Sequence, residues 1–392
     1  MRLPEGRGTL GYCLNVHPTQ SFEEVRAALL GPVREIKARL SPGGPFGVGL
    51  RLSAEAAAAP QAAAELAAIF RGEGFVAFTM NGFPYGRFHG APVKEAVYEP
   101  DWATRERGEY TAGLARIMAA LVPPGETATI STVPGGFAPR RRDREAEVAE
   151  GLLHAAAALV RLERDTGRTV ALALEPEPWC LLESTADAAA FFRDHLFTRT
   201  AARRLAERVG LRAEEAAAAL PRHLGLCLDV CHLAVGFEEP EAALAQLAGA
   251  GIPIHKLQLS AALRLPRADA AARRRAEAFR DAVYLHQTTA RAPGGPVRRF
   301  LDLPEALKQP ARDGEEWRVH CHVPVFAELE PPLASTRDVL ERVLAIHRAS
   351  PIAPHLEVET YTWDVLPEAA RGGMSVIDGI EKEMRWVLQR LC

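Results

Sequence analysis

The sequence has no apolar stretch long enough for a transmembrane helix, and its N-terminal residues lack the apolar core of a secretion signal. The sequence also has no large excess of positive or of negative charge. The formal net charge is only −3, which argues against binding to nucleic acid or to an anionic membrane. Cysteine is scarce, and the six cysteines show none of the spacings of a zinc ribbon. We therefore predict a reduced, soluble, cytoplasmic protein that does not insert into a membrane.

What the sequence does contain is a regular alternation of strand-like and helix-like segments. Strands are expected at 10–16, 46–53, 75–81, 127–133, 169–175, 224–230, 253–259 and 355–360. Helices are expected at 21–39, 55–70, 105–121, 143–164, 186–208, 239–249, 267–280, 335–347 and 374–391. Three helix starts carry a serine followed three residues later by an acid, namely Ser21, Ser184 and Ser335.

Eight β–α alternations in 392 residues favour one domain, 1–392, folded as a (β/α)8 TIM barrel. A doubly wound open sheet is the alternative. That fold would bring a glycine-rich phosphate-binding turn after the first strand, and residues 10–20 offer none.

Two connections are too long for an ordinary barrel. Residues 82–103, called the lid loop below, are rich in aromatic side chains and follow the third strand, so we expect them to cover the active site. Residues 281–330 contain three further strand-like runs, at 283–290, 297–303 and 317–326. We assign these runs to a small accessory sheet inserted after the seventh barrel strand, above the same face.

Several strands end in side chains that bind metal ions. Counted from the strand starts, Glu175, Asp229, Gln258 and Glu359 lie at similar depth on four consecutive barrel strands. Their oxygens suit Mg²⁺ or Mn²⁺, and a nearby imidazole extends the choice to Zn²⁺, Co²⁺ or Fe²⁺. A carboxylate at a strand end can also serve only as a helix N-cap or an arginine partner. We predict a divalent metal site formed by all four residues.

Other polar residues near the strand ends are candidates for contact with a substrate. His232 follows Asp229 by three residues, and we expect it to bond substrate hydroxyls, with a structural role as the alternative. His320 and His322 form a His-x-His pair, which occurs in metal sites and also in sheet packing. The full set of substrate-binding candidates is Asn15, His17, Asn81, Glu177, Lys256, His320, His322 and Glu357.

These strand ends resemble those of the xylose isomerase-like barrels, which include sugar and sugar-phosphate isomerases and epimerases. The resemblance implies a metal held by Glu175, Asp229, Gln258 and Glu359, with His232 touching the substrate. In many epimerases a histidine stands where this chain has Gln258, and the 281–330 insertion is a second departure.

A closer resemblance, covering essentially the whole chain, is to the EboE family. It is carried by Leu-Gly-Tyr-Cys-Leu-Asn-Val-His-Pro, Asn-Gly-Phe-Pro-Tyr-Gly, Cys-Leu-Asp-Val-Cys-His, Tyr-Leu-His-Gln, His-Cys-His-Val-Pro-Val-Phe and Leu-Glu-Val-Glu-Thr-Tyr-Thr-Trp-Asp-Val-Leu-Pro. That family is named a metabolite traffic protein and belongs to a bacterial gene cluster tied to export of secondary metabolites. The resemblance therefore implies partner proteins of the same pathway.

Two hypotheses about function follow. The first is a metal-dependent isomerase or epimerase for a small polyhydroxylated or carbonyl metabolite, in which Glu175 and Glu359 exchange a proton and His232 assists. The second is a non-catalytic carrier, in which Phe83, Tyr85, Phe88 and Trp102 of the lid loop stack a metabolite. A weaker third hypothesis is a subunit whose surface binds a membrane partner.

Overall fold

Eight parallel strands close into a barrel in the computed structural model, which describes residues 1–141, 143–310 and 312–392. Around the barrel the strands follow the order β1-β13-β7-β6-β5-β4-β3-β2. They are β1 (Thr9–Cys13), β2 (Phe46–Arg51), β3 (Phe75–Asn81), β4 (Thr127–Thr132), β5 (Thr169–Leu174), β6 (Leu224–Asp229), β7 (Ile254–Leu259) and β13 (His355–Val358). The predicted barrel is confirmed, and the open sheet is excluded.

Most of the helices cover the outside of the barrel and bury the apolar faces of its strands, whereas three short helices contribute to a second apolar core. They are α1 (Phe22–Ala28), α2 (Arg34–Leu40), α3 (Ala54–Ala57), α4 (Ala62–Glu73), α5 (Arg105–Leu121), α6 (Ala138–Arg141), α7 (Glu145–Thr166), α8 (Thr185–Phe191), α9 (Arg199–Val209), α10 (Ala213–His223), α11 (Val230–Val235), α12 (Pro240–Gly249), α13 (Ala270–Ala276), α14 (Leu303–Lys308), α15 (Arg337–Ala349), α16 (Glu368–Arg371) and α17 (Val376–Leu391). None of the helices in the described ranges is long and apolar enough to cross a membrane.

Two of the three serines predicted to cap helix N-termini do so in the structure. Ser21 and Ser184 each form a capping box with the acid three residues later, as expected. The prediction for Ser335 is wrong, because this residue ends a strand and Thr336 precedes the helix. The hydroxyl of Thr336 accepts the backbone N–H of Ala262 at 2.8 Å instead of capping.

A second, antiparallel sheet lies between β7 and β13 in the chain. Its order is β10-β9-β11-β8-β12, formed by β8 (Ala262–Leu265), β9 (Thr288–Arg291), β10 (Val297–Phe300), β11 (Glu316–His322) and β12 (Ala334–Ser335). The predicted accessory sheet is present, but its strands extend beyond 281–330 on both sides. This sheet has an apolar core of its own, centred on Trp317, Leu263 and Val319.

The C-terminal helix is anchored to the barrel mouth by a buried carboxylate, Glu383 of α17. It accepts hydrogen bonds from the Thr360 hydroxyl at 2.6 Å, the Val325 amide at 3.1 Å and the Trp363 indole at 3.2 Å. Burial raises the pKa of Glu383 to about 7, although these bonds act in the opposite direction. The segments after β11 and β13 are thereby tied to α17.

Candidate metal centre and substrate cavity

A cavity opens at the carboxyl ends of the barrel strands, with an empty volume of about 550 Å³ that includes the space at its mouth. This is a normal size for a small-molecule site. Parallel strands all end on this face, so polar residues that are distant in sequence meet there. The polar side chains on its wall are Asn15, Asn81, Lys94, Glu175, Glu177, His232, His320, His322 and Glu359.

Three buried carboxylates converge at the cavity, whose lining includes Glu175 and Glu359 but not Asp229. Glu175, Asp229 and Glu359 each offer one oxygen, and these oxygens lie within 4.8 Å of one another. Burial, followed by the charges of Glu359 and Asp229, raises the pKa of Glu175 well above its usual range. Burial and the neighbouring carboxylates raise the pKa of Glu359 to about 8. Carboxylates packed this closely need protons or a cation to offset their repulsion.

Glu359 is held in place by three side-chain amides. Asn15 and Asn81 donate to its Oε1 at 2.5 and 3.1 Å, and Gln258 donates to its Oε2 at 2.8 Å. These donors come from three different parts of the barrel wall, which fixes the orientation of the carboxylate. Gln258 is the fourth predicted metal ligand, and its Oε1 is buried with no hydrogen-bond partner among the described residues.

Asp229 both caps a helix and faces the cluster. Its Oδ1 accepts the backbone N–H of His232 at 3.1 Å, at the start of α11, and the Ser260 hydroxyl at 2.7 Å. Its Oδ2 is buried and receives no hydrogen bond from the described part of the chain. Burial acts to raise the pKa of Asp229, but the neighbouring His232 and His322 and the hydrogen bonds from Ser260 and the His232 amide together lower it. The helix N-cap role considered for this carboxylate is thus correct for Oδ1, while Oδ2 remains available to bind a cation.

The imidazoles come from two different segments. His232 lies on α11, whereas His320 and His322 lie on β11 and are brought over the barrel by the accessory sheet. His322 donates from Nδ1 to the Glu359 carbonyl at 2.8 Å, so its Nε2 carries the lone pair, 3.9 Å from Asp229 Oδ2. Burial lowers the pKa of His322 to about 4, against the effect of Asp229.

Three predicted substrate contacts lie away from the cavity wall. Lys256 and Glu357 are fully buried below it and form an ion pair of 2.6 Å between Nζ and Oε2. The carboxylate of Glu357 occupies the space in front of Gly49, where an added Cβ would lie 1.3 Å from its Oε1. His17 contacts the Tyr12 hydroxyl at 3.1 Å, and burial lowers its pKa to about 4. Lys256 and Glu357 therefore support the site from beneath.

The lid loop and the accessory segment together roof the cavity. Lys94 of the lid loop donates to the carbonyls of Asp281 and Tyr284 at 2.8 and 2.7 Å and pairs with Asp302 at 2.7 Å. The backbone amide of Val93 donates to the carbonyl of Val283 at 2.8 Å. These bonds connect the loop after β3 to the segment that precedes β9 and to Asp302, which follows β10.

The aromatic lining differs from the prediction. Phe83 and Phe88 face the cavity, as expected. Trp102 is instead fully buried elsewhere and donates to the Thr132 hydroxyl at 3.2 Å, while Tyr85 packs on Tyr110 with ring centroids 5.0 Å apart. Two rings outside the lid loop, which the sequence analysis did not single out, complete the wall: Tyr284 and Tyr361. Each of these tyrosines belongs to a motif that carries the family resemblance, and that motif was the only sign in the sequence of a role at the site.

Comparison with solved structures agrees with the fold. A xylose isomerase-like TIM barrel protein from Mycobacterium smegmatis, in complex with magnesium, superposes with a TM-score of 0.50 at 11% identity, covering 98% of this chain and 96% of that one. The IOLI protein with a binding zinc atom gives 0.49 at 12% identity, with 98% of both chains covered. A xylose isomerase domain protein from Planctomyces limnophilus gives 0.44 at 14% identity, covering 90% and 92%.

The first of these similarities and the strand order agree on the fold class, a xylose isomerase-like TIM barrel with an added antiparallel sheet. No protein-family model and no curated protein matches the sequence. Membership of the EboE family therefore stays a prediction.

Proposed function

We propose that the chain is a metal-dependent isomerase- or epimerase-like enzyme that acts on a small polyhydroxylated or carbonyl metabolite. One observation carries this proposal. Glu175, Asp229 and Glu359 converge beneath a cavity of small-molecule size, and two of them keep a buried oxygen without a hydrogen bond from the described residues. Such orphaned oxygens are costly unless a cation or a substrate satisfies them.

The donor set fits a divalent metal ion. Glu175 Oε2, Asp229 Oδ2 and Gln258 Oε1 are each buried and lack a partner within the described ranges, and Glu359 contributes the third carboxylate. Oxygen ligands of this kind suit Mg²⁺ or Mn²⁺, and the nearby imidazoles also permit Zn²⁺ or Co²⁺. The magnesium complex of the Mycobacterium smegmatis relative is consistent with this assignment.

The chain's own residues then account for proton transfer and orientation. When bound, a divalent ion would stabilise the negative charge that develops on oxygen as a proton leaves the carbon beside a carbonyl. We assign the exchange of that proton to Glu175 and Glu359, whose carboxylates both border the cavity. His232 donates from Nδ1 to the Pro176 carbonyl at 2.9 Å, which fixes its ring at the cavity wall, where it assists by contact with the substrate.

Metal analysis of the purified protein tests the site. We expect one ion per chain to be lost in Glu175→Gln and in Asp229→Asn and to be kept in Glu383→Gln, a control that is equally buried but belongs to no group of candidate ligands among the described residues. Solvent deuterium incorporation into candidate sugars with Mn²⁺ tests the reaction and should depend on Glu359. Unchanged, substoichiometric metal in the wild type and both site variants would contradict the proposal.

A second function, metabolite carriage without turnover, is favoured by the aromatic wall. The rings of Phe88, Tyr284 and Tyr361 pack with centroids 5.0 to 5.3 Å apart and border the cavity. Such a wall can stack a ring-shaped ligand, and the resemblance to the EboE family supports a role in metabolite traffic with partner proteins of one pathway. Tight ligand binding without deuterium exchange would favour the carrier over the enzyme.

A further inference from the structure

Two imidazole nitrogens face one another beside the carboxylate cluster. Nε2 of His232 and Nε2 of His320 are 3.1 Å apart, and both rings are buried. At this distance one nitrogen must carry a proton for the other to accept, or a cation must lie against both lone pairs.

The partners of the opposite ring nitrogens determine which tautomer each histidine adopts. His232 Nδ1 contacts the Pro176 carbonyl at 2.9 Å, and a carbonyl can only accept. His320 Nδ1 contacts Oε1 of Gln287 at 2.8 Å. The amide of Gln287 cannot be flipped, because its Nε2 donates to the Glu177 carboxylate at 3.1 Å and to the Pro178 carbonyl at 3.2 Å. Both Nδ1 atoms are therefore donors, and the neutral rings present two lone pairs to each other.

This spacing matches two ligands of one metal ion. Nitrogens bound at about 2.0–2.1 Å to a tetrahedral ion lie roughly 3.3 Å apart, close to the 3.1 Å between these rings. The oriented Nδ1–H bonds to a carbonyl and an amide are the outer contacts that metal-binding histidines generally make.

A carboxylate completes the group. Glu177 offers an oxygen within 4.8 Å of one ring nitrogen of His232 and one of His320, and its Oε1 lies 3.5 Å from His320 Nδ1. Its Oε1 accepts the Tyr98 hydroxyl at 2.7 Å, which fixes the position of the carboxylate. His322 is directed instead towards Asp229, on the side of the first cluster.

We propose that His232, His320 and Glu177 form a second divalent-cation site, distinct from the one assigned to Glu175, Asp229 and Glu359. Two imidazoles and one carboxylate are a ligand set for Zn²⁺ or Co²⁺ rather than for Mg²⁺. The site goes beyond the proposed function, which uses no ion at this position. It exists only because the accessory sheet carries His320 over the barrel.

Metal stoichiometry in the full-length protein tests this site. The chain is stripped with a chelator, reloaded with Zn²⁺, dialysed and analysed for zinc per chain. We expect two ions in the wild type, one in His320→Gln and one in Glu359→Gln. His286→Gln is the matched control, since His286 is also buried on the inserted segment, donates from Nδ1 to a carbonyl and lacks a partner on Nε2 among the described residues. It should keep both ions.

Cobalt provides a second readout that does not depend on counting. Co²⁺ at a four-coordinate nitrogen-rich site absorbs strongly in the visible range, and this absorption should disappear in His320→Gln and persist in Glu359→Gln. Glu177→Gln serves as a second variant if His320→Gln fails to fold, as judged by circular dichroism.

The outcomes separate the two sites. One ion that is lost in Glu359→Gln and kept in His320→Gln would overturn the second site and leave the proposed function standing. One ion that shows the reverse dependence would support the second site and contradict the first. A single ion lost in both variants, or no zinc at all, would overturn the second site, and in the latter case the two imidazoles share a proton.

Discussion

Replacement of Lys256 by methionine should destabilise the barrel more than any surface change. The side chain of Lys256 lies inside the barrel with no exposed area, and its ammonium group is 2.6 Å from Glu357 Oε2. The Ser131 hydroxyl, 3.2 Å away, is a further partner of the ammonium group. Methionine keeps most of the volume and removes only the charge.

The expected loss in the free energy of unfolding follows from the charge that is left without a partner. Without Lys256, the carboxylate of Glu357 is buried without its counter-ion, and breaking a buried pair in this way costs about 3–5 kcal/mol. Glu357→Gln should cost a similar amount, because it leaves the ammonium group unpaired. The double variant keeps neither charge, so it should cost little more than one single change. The coupling free energy of the pair should therefore be roughly 3 kcal/mol.

Denaturant unfolding of the four proteins measures this coupling. An exposed ion pair provides the control: Arg105 and Glu109 lie 2.6 Å apart with side chains that are 87% and 59% exposed. Arg105→Met should cost less than about 0.5 kcal/mol. A cost below about 1 kcal/mol for Lys256→Met, or additive effects in the double variant, would refute the reasoning.

Three further predictions concern other parts of the molecule. Gly49→Ala should lower the free energy of unfolding by about 3 kcal/mol, because the new Cβ would lie 1.3 Å from the Glu357 carboxylate, whereas Gly72→Ala in α4, with open space around it, should be neutral or stabilising. Glu383 stabilises the fold fully only below its unfolded pKa, and that stability is lost as pH rises through about 7. The destabilisation caused by Glu383→Gln, measured by chemical unfolding, should therefore shrink by about 3 kcal/mol between about pH 5 and about pH 9; an unchanged difference would contradict the raised pKa. Lys94→Met should speed hydrogen exchange in the lid loop and leave the barrel strands protected, and equal exchange in both proteins would show that the ion pair does not hold the loop.

The barrel strands could be predicted from sequence because parallel strands that are buried on both faces appear as continuous apolar runs. The ends of the helices were harder to predict. The helix expected at 21–39 is divided into α1 and α2 by a π-helical turn that contains Pro32, whose ring cannot fit an unbroken α-helical ladder. Strand β8 was missed because Ala262 to Leu265 follows the predicted strand 253–259 after a gap of only two residues, too short for a separate strand to be expected there.

The floor of the site was easier to predict than its walls. Glu175, Asp229 and Glu359 were predicted to lie at one level from their depth along the strands, and the structure brings their oxygens together. The ladder register pairs Gln258 with Glu357 and not with Glu359. Counting depth along the strands could not show that Glu357 would form an ion pair with Lys256, because that contact depends on how the side chains fill the barrel interior. Nor could it place Tyr284 in the wall, since this contact forms only after the inserted segment folds over the mouth.

The bonds of Lys94 have a consequence for the rate at which a ligand can leave. The lid loop and the inserted segment are separated by about half the chain in sequence, yet Lys94 connects them directly across the mouth. Neither can swing away alone without breaking these bonds, so opening is a concerted event. Residence time in the cavity should then depend on Lys94 and on the backbone bond from Val93 to Val283, groups that take no part in the proposed chemistry.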